Sequence, residues 1–321
     1  MNSSTATPES ALNVSNSTIS NIPSADRLAV MWSVDVVTVL SNIPVFILTP
    51  RLKMIPASTK VAMIMLALTD VGTALHRILR WIIFAAIGNY SIEEGSWLCW
   101  LDGTNAGALQ SISVANLIFI SIDRFLQIKY PLIYSLYVTQ RNILLIELGI
   151  CLFYYVGIPV ISIFHPLYFS HVALDCRWRF SGLAGLFLSI GFIIQSLVVV
   201  LCCLQMFFVS RRQLRMIHNQ ITAVNQSQND SGAQVKLQTF KVIKTLLVMT
   251  LGYFACWTPH FITIFCQYKN PEMISELTEF FCIWLAFSNS ANNPWIYVFV
   301  IGEYRSILLW VFFRIETVNT D

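Results

Sequence analysis

The chain has 321 residues and a net charge of +3, and its composition is strongly apolar. Hydrophobic residues make up 56% and charged residues 12%, whereas a soluble domain carries about 25% charged residues. So few charges cannot cover a water-facing surface of this size, which excludes an ordinary soluble enzyme and a disordered regulator. The small net charge gives no support for nucleic-acid binding, and eight cysteines are too few for a disulfide scaffold.

Seven stretches of the sequence are long and apolar enough to cross a bilayer, which takes about 20 residues per helix. The predicted spans are 28–49, 58–86, 98–126, 142–162, 182–209, 240–266 and 275–300. A shorter apolar segment, 303–313, carries Glu303 and Arg305, which is typical of a helix on the membrane surface. We therefore expect an all-α membrane protein, with a seven-transmembrane helix bundle and a short amphipathic eighth helix.

The basic residues predict how the chain is oriented. If the N-terminus lies outside, 14 of the 20 Lys and Arg residues fall in inner segments, as the positive-inside rule requires. The outer segments would then carry glycosylation sequons at Asn2, Asn13, Asn16 and Asn89. We expect a multi-pass plasma-membrane protein with an extracellular glycosylated segment, 1–27, a bundle, 28–301, and an amphipathic helix with a short cytoplasmic tail, 302–321.

Five short motifs occur in order on consecutive spans. They are Asn42 in the first span, Asp70 in the second, Asp123-Arg124-Phe125 ending the third, Cys256-Trp257-Thr258-Pro259 in the sixth and Asn293-Pro294-Trp295-Ile296-Tyr297 in the seventh. With these motifs the chain resembles a divergent member of the rhodopsin-like (class A) G-protein-coupled receptors, over about residues 28–313. The resemblance implies a receptor, not an enzyme, that transmits binding of an extracellular ligand to heterotrimeric G proteins by helix rearrangement.

The resemblance also assigns residues to activation and coupling. In the family the arginine of the Asp-Arg-Phe triplet is released on activation and meets the G protein, and the two prolines kink their helices. The matching residues here are Asp123, Arg124, Phe125, Trp257, Pro259, Asn293, Pro294 and Tyr297. The fifth span has no proline, which leaves its geometry and the adjoining pocket in doubt.

Asp70 lies in the middle of a span, where an ionised carboxylate is costly and needs partners. The resemblance implies an allosteric sodium ion and no other cofactor. Its ligands would come from the residues that match the family's site, Asp70, Ser113, Asn289 and Asn293. The alternative is a buried hydrogen-bond network without an ion.

Two cysteines fall on the outer side, which is an oxidising compartment. Cys99 begins the third span and Cys176 lies in the second outer loop. The resemblance predicts a disulfide bond between them that holds this loop over the bundle.

The outer half of the bundle is where we expect the ligand. Ala106 stands where amine receptors have an aspartate, so a monoamine would lack its counter-ion. Arg77 shares the inward face of Asp70, and the four arginines of this region suggest a small anionic ligand. The alternative is internal pairing, for example of Arg77 with Asp35. The candidate ligand contacts are Arg77, Arg80, Ala106, Gln110, Arg177, Arg179, Trp257, His260, Phe261, Trp284 and Phe287.

Three other functions remain to be weighed. Within the receptor class, a chemosensory receptor is the alternative to a hormone or transmitter receptor. A transporter or channel would need a polar path across the bilayer, but the inner halves of the spans are rich in Leu, Ile, Val and Phe. An intramembrane enzyme is disfavoured because the spans contain no paired aspartates and no His-Glu-x-x-His motif.

Overall fold

The computed structural model is helical almost throughout. It describes residues 25–53, 55–87, 97–164, 168–170, 175–177, parts of 190–212, 230–270 and 273–314. At some helical positions, among them Cys99 and all of 230–247, it describes the backbone and not the side chain.

Nine helices and one hairpin make up these described residues. The helices are α1 Ala25–Leu48, α2 Ala57–Ile87, α3 Trp97–Lys129, α4 Pro131–Tyr137, α5 Gln140–Phe164, α6 Ile193–Val209, α7 Asp230–Lys269, α8 Glu276–Val300 and α9 Gly302–Phe313. Strands β1, Tyr168–Ser170, and β2, Asp175–Arg177, pair antiparallel between α5 and α6.

The helices confirm the predicted all-α fold. Five of them, α1, α2, α3, α5 and α7, are long and apolar enough to cross a membrane on their own. The seventh predicted span is α8, which bends by 99° into the amphipathic helix α9. The fifth predicted span corresponds to α6, which is shorter over the part of the chain that the structure describes.

Two elements were not predicted. Helix α4 follows α3 directly, and it begins at Pro131, a residue whose fixed φ suits the first turn of a helix. The hairpin pairs Phe169 with Cys176 and packs against α3. Both elements are too short to produce a readable periodicity.

Helix α7 also begins ten residues before its predicted start, because the polar residues 230–239 extend it beyond the apolar stretch.

Apolar residues lie on the surface of the bundle and several charged residues lie inside it, the reverse of the usual arrangement in a soluble protein. On α5, leucines such as Leu144, Leu148 and Leu152 are exposed, while Glu147 is fully buried. Asp70 and Arg124 are likewise buried in the bundle, at 0% and 1% exposure. This arrangement fits a chain whose surroundings are lipid, where apolar side chains face outward at no cost and charged ones must turn inward.

Candidate functional site

At the end of the bundle that the distribution of Lys and Arg predicts to be the inner one, five side chains form what we call the inner polar cluster: Ser58, Asp123, Arg124, Gln127 and Tyr134. The guanidinium of Arg124 pairs with Asp123, donates to Gln127 Oε1 at 2.5 Å and reaches Ser58 Oγ at 3.3 Å. Tyr134 donates its hydroxyl to Asp123 Oδ1 at 2.6 Å and lies 2.9 Å from Ser58 Oγ. The cluster therefore joins α2, α3 and α4 through one arginine and one carboxylate.

The electrostatics of the cluster hold Arg124 in place. Charge-assisted hydrogen bonds are about twice as strong as neutral ones, and both members of the Asp123–Arg124 pair are buried. Burial and the bond to Asp123 raise the pKa of Tyr134 to about 12, so its phenol keeps the proton that it donates. Phe125 is half-buried beside the cluster, with the ammonium of Lys129 5.0 Å from its ring centroid.

A second polar group surrounds Asp70 in the middle of the bundle. Oδ1 of this carboxylate accepts from Ser113 at 3.0 Å and from Ser290 at 2.8 Å, and Oδ2 accepts from Asn293 Nδ2 at 2.9 Å. No cationic side chain in the described part of the bundle lies within ion-pairing distance of Asp70. Its negative charge is thus solvated by α3 and α8 but not neutralised.

A small cavity of about 10 Å³ lies next to Asp70, close to the minimum that one water molecule needs. Its lining combines two polar partners of Asp70, Ser113 and Asn293, with apolar side chains of α2 and α3 and aromatic side chains of α7. The lining residues are Leu66, Gln110, Ser113, Val114, Leu117, Tyr253, Trp257, Asn289 and Asn293. Asn289 thus lies at the cavity, as expected for a member of the sodium site, although the bonds to Asp70 come from its neighbours.

Trp257 connects this cavity with the outer half of α7. Its indole ring lies 6.0 Å from the ring of Tyr253 on the inner side and 6.1 and 6.0 Å from those of His260 and Phe261 on the outer side. Pro259 lies inside α7 within this aromatic cluster. The outer rings of α7 are therefore linked through Trp257 to the wall of the cavity beside Asp70.

Two of the four predicted outer arginines, Arg77 and Arg80, are paired with carboxylates among the described residues. Arg77 donates from Nε to Asp35 Oδ1 at 2.7 Å, and its Nη2 lies 2.5 Å from the same oxygen. Asp102 accepts from Arg80 Nη1 at 3.3 Å and contacts His76 Nε2 at 2.9 Å. These are the internal pairs that the sequence left open as the alternative to an anionic ligand.

Aromatic rings of α8 cover the Asp35–Arg77 pair. The guanidinium carbon of Arg77 lies 4.5 Å from the ring centroid of Phe287 and 5.7 Å from that of Trp284. Phe287 and Trp284 were expected as ligand contacts, and here they pack on an ion pair that connects α1 with α2. Ala106 and Gln110 are partly buried on α3.

Several predicted residues lie outside what the structure describes. Strand β2 brings the backbone of Cys176 and Arg177 to α3, but neither their side chains nor that of Cys99 are described. Arg179 and the sequons at Asn2, Asn13, Asn16 and Asn89 also lie outside the described residues. The disulfide bond and the glycosylation sites therefore stay predictions.

The sequence interpretation missed four residues of these clusters, Ser58, Gln127, Tyr134 and Ser290. Ser290 precedes Asn293 by three positions and so shares its helix face; that spacing could have identified it. Ser58 and Tyr134 join the inner polar cluster from α2 and α4. Nothing in their local sequence marks them, because their proximity depends on how three helices pack.

Comparison with known proteins agrees with this architecture. The family model of the 7 transmembrane receptor (rhodopsin family) matches residues 41–297. Trace amine-associated receptor 1 of Homo sapiens is 26% identical over 255 residues, covering 70% of this chain and 71% of that protein. Trace amine-associated receptor 6 of Mus musculus is 24% identical over 287 residues, covering 82% and 78%.

A bundle of helices long and apolar enough to span a membrane, with charged residues buried inside it, is that of a multi-pass membrane protein. Since the family model covers most of the chain, the protein belongs to the rhodopsin family of seven-transmembrane receptors. It is therefore a receptor and not an enzyme.

The Asp35–Arg77 pair yields a stability test. Arg77→Ala should destabilise the protein by about 3–5 kcal/mol, because it leaves a buried carboxylate unpaired. Adding Asp35→Ala should recover much of that loss, because no orphan charge then remains. Thermal unfolding of the purified receptor measures both effects.

Arg27→Ala provides the control, since Arg27 stacks on Phe280 at the less buried end of α1 and should matter less. A double variant that is no more stable than Arg77→Ala would contradict a structural ion pair. It would favour instead a role for Arg77 in holding a ligand.

Proposed function

We propose that this receptor couples binding of an extracellular ligand to nucleotide exchange on a heterotrimeric G protein. The observation that supports this most is the inner polar cluster, which holds Arg124 at 1% exposure at the inner end of α3. An arginine with several polar partners is stable while α2, α3 and α4 are packed together, an arrangement that we call the closed form. Once helix movement separates α3 from α2 and α4, it becomes available to a protein partner.

The orientation that this function needs has the N-terminus outside and the inner polar cluster in the cytoplasm. The distribution of Lys and Arg supports it. The same orientation supports insertion in the plasma membrane, with the sequons of segment 1–27 on the extracellular side. A transporter or channel is a weaker proposal, because Leu66, Leu117 and Tyr253 belong to a packed hydrophobic core and the cavity that they line has a volume of only about 10 Å³.

We propose that the ligand acts on the aromatic cluster around Trp257, since those rings reach the cavity by contact. An anionic ligand would have to be held by Arg177 and Arg179, because Arg77 and Arg80 already pair with carboxylates. The relatives are named for trace amines, but Ala106 offers no carboxylate for an ammonium group. Comparing acidic, neutral and basic metabolite pools on cells that express the receptor separates these ligand classes and tests a chemosensory role.

Arg124→Ala should abolish receptor-dependent nucleotide exchange, and it should also lower the stability of the receptor because buried Asp123 loses its partner; exchange is therefore compared per folded receptor. The reason is that the variant removes the group we assign to the G protein, together with its pairing to Asp123. Exchange on a panel of G proteins, measured with receptor in lipid vesicles, checks this.

Arg141→Ala is the matched control, because Arg141 is an exposed arginine at the start of α5. It should retain exchange. Full exchange by a well-folded Arg124→Ala receptor would contradict the proposed coupling.

We further propose that Asp70 and its neighbours hold a sodium ion. The residues fit: a buried carboxylate without a cationic partner among the described residues, the hydroxyl oxygens of Ser113 and Ser290, and a cavity lined by Asn289 and Asn293. Oxygen ligands of this kind suit hard cations. Since the closed bundle brings α2, α3 and α8 together here, bound sodium would favour the closed form.

Sodium should therefore raise the thermal stability of the receptor relative to an equal concentration of a larger cation such as N-methylglucamine. At ten times its dissociation constant, an ion that binds only the folded state adds about 1.4 kcal/mol. Asp70→Asn should remove this difference, and Ser290→Ala should weaken it. An unchanged sodium effect in Asp70→Asn would place the ion elsewhere.

A further inference from the structure

Three side chains near the outer ends of α2 and α3 meet at one carboxylate. Oδ1 of Asp102 on α3 lies 2.9 Å from His76 Nε2, and its Oδ2 accepts from Arg80 Nη1 at 3.3 Å. Both of these partners belong to α2. The carboxylate therefore serves a permanent cation and a ring that is charged only when it binds a proton. The function proposed so far gives the ring no task.

The helical period of α2 explains this arrangement. His76 and Arg80 are one turn apart, so their side chains leave the same face of the helix. Arg77, the neighbour of His76, is turned by about 100° around the helix axis and pairs with Asp35 on α1. Helix α2 is thus joined to α1 by one charged contact and to α3 by the other, and His76 belongs to the second.

His76 is the most accessible of the three residues. Its side chain is 20% exposed, whereas the side chains of Arg80 and Asp102 are 4% and 10% exposed. Asp102 lies five residues from the start of α3 at Trp97, so the contact is near the outer surface of the bundle. Protons can reach the ring, while the carboxylate beside it is largely shielded from water. That shielding strengthens the attraction between opposite charges.

Protonation of His76 changes the nature of the contact with Asp102. Nε2 is within ion-pairing distance of Oδ1, but in this orientation it makes no hydrogen bond. A neutral imidazole gains little without such a bond. An imidazolium is attracted by its charge in any orientation, and both of its nitrogens can donate. Since an unperturbed histidine titrates near about pH 6.5, modest acidification of the outer solution is enough to produce this change.

Arg80 opposes the second positive charge, because two cations then share one carboxylate. The two contacts use different oxygens of Asp102, Oδ1 for the ring and Oδ2 for the guanidinium. Asp35 also attracts Arg80, so Asp102 is not the sole counter-charge of that arginine. We therefore expect the direct attraction between His76 and Asp102 to exceed the repulsion between the ring and the guanidinium.

The other ionisable groups near this level do not replace Asp102 as the partner of His76. Helices α1, α3, α5 and α8 pack against α2. Asp35 pairs with Arg77, and Glu279 accepts from Gln267. Phenols and thiols are neutral at pH 7 and below. The side chains of Asp175 and Arg177 in the hairpin lie outside the described residues. Besides the site itself, the ionisable residues described on the outer parts of these helices are Asp26, Arg27, Asp35, Arg77, Cys151, Tyr154, Tyr155, Glu276, Glu279 and Cys282.

We propose that His76 and Asp102 form a binding site for extracellular protons, and that the occupied site holds the outer end of α3 against α2. The contact exists in the same conformation in which the inner polar cluster is closed. A proton bound there stabilises this closed form relative to any form in which the outer ends of α2 and α3 move apart. Acidification outside therefore opposes opening. This last step rests on the proposed coupling to a G protein, whereas the proton site itself does not.

Thermal unfolding of the receptor in lipid nanodiscs, at pH values about one unit below and one unit above the ordinary titration of histidine, tests the site. At the lower pH the unmodified receptor should melt about 2 °C or more above His76→Gln. This difference should largely vanish at the higher pH, because the ring has then lost its charge. His76→Gln leaves Asp102 paired with Arg80, so it exposes no unpaired buried charge. His218→Gln, which removes a histidine between α6 and α7, is the control and should behave like the unmodified receptor.

A double-mutant cycle identifies Asp102 as the partner. Asp102→Asn removes the negative charge, so adding His76→Gln to it should change the melting temperature little at either pH. A difference between His76→Gln and the unmodified receptor that is the same at both pH values would overturn the site. A difference that persists in full on the Asp102→Asn background would overturn it as well. The first comparison needs no substitution at Asp102, so the site remains testable even if Asp102→Asn folds poorly.

Varying the pH of the medium around cells that express the receptor tests the link to opening, because only the outer end then meets the change. Activation of G proteins without ligand should fall several-fold as the medium is acidified through the same range, and it should change little in His76→Gln. The same fall in both receptors would overturn the link. Failure of every G protein to respond at either pH, with the stability differences as expected, would instead count against the proposed coupling and leave the proton site standing.

Discussion

Every charge buried in a membrane-embedded bundle must find a partner inside the protein, and that constraint organises this receptor. Replacing water by lipid removes the solvent that would otherwise stabilise a carboxylate or a guanidinium. Asp35 pairs with Arg77 at the outer end, and Asp123 pairs with Arg124 at the inner end. Asp70 between them has hydroxyl and amide donors but no cation among the described residues. The helices are held together at the positions where these charged residues contact their partners.

This distribution of charge explains how one fold can be both stable and movable. The outer pair lies under the rings of Phe287 and Trp284 and can only be broken at high cost. The inner polar cluster combines bonds of Arg124 within α3 with hydrogen bonds of Ser58 and Tyr134 that join α2 and α4 to it. The aromatic contacts of Trp257 connect the outer half of α7 to the cavity beside Asp70. These ring contacts do not include the Asp35–Arg77 pair.

Span number, fold class and family follow from the sequence because apolar length and short motifs are local properties. The residues around Asp70 were also largely predicted, since Ser113 and Asn293 belong to recognisable positions. The partner of Arg77 was harder to predict, because the sequence allowed either a ligand or Asp35. The hydrogen bond from Arg77 Nε to Asp35 Oδ1 appears only in the structure. Tyr134 was missed entirely, because α4 is a single short element whose placement depends on three packed helices.

The central claim is that hydrogen bonds of the inner polar cluster, more than apolar packing, keep the inner end closed. Basal nucleotide exchange by Tyr134→Phe tests it most directly, because that substitution removes one hydroxyl and its 2.6 Å bond to Asp123 while keeping the ring. Tyr137→Phe on the same helix is the control, since Tyr137 is 71% exposed. We expect Tyr134→Phe to raise basal exchange several-fold and Tyr137→Phe to leave it unchanged. Equal exchange by the two variants and the unmodified receptor would contradict the claim.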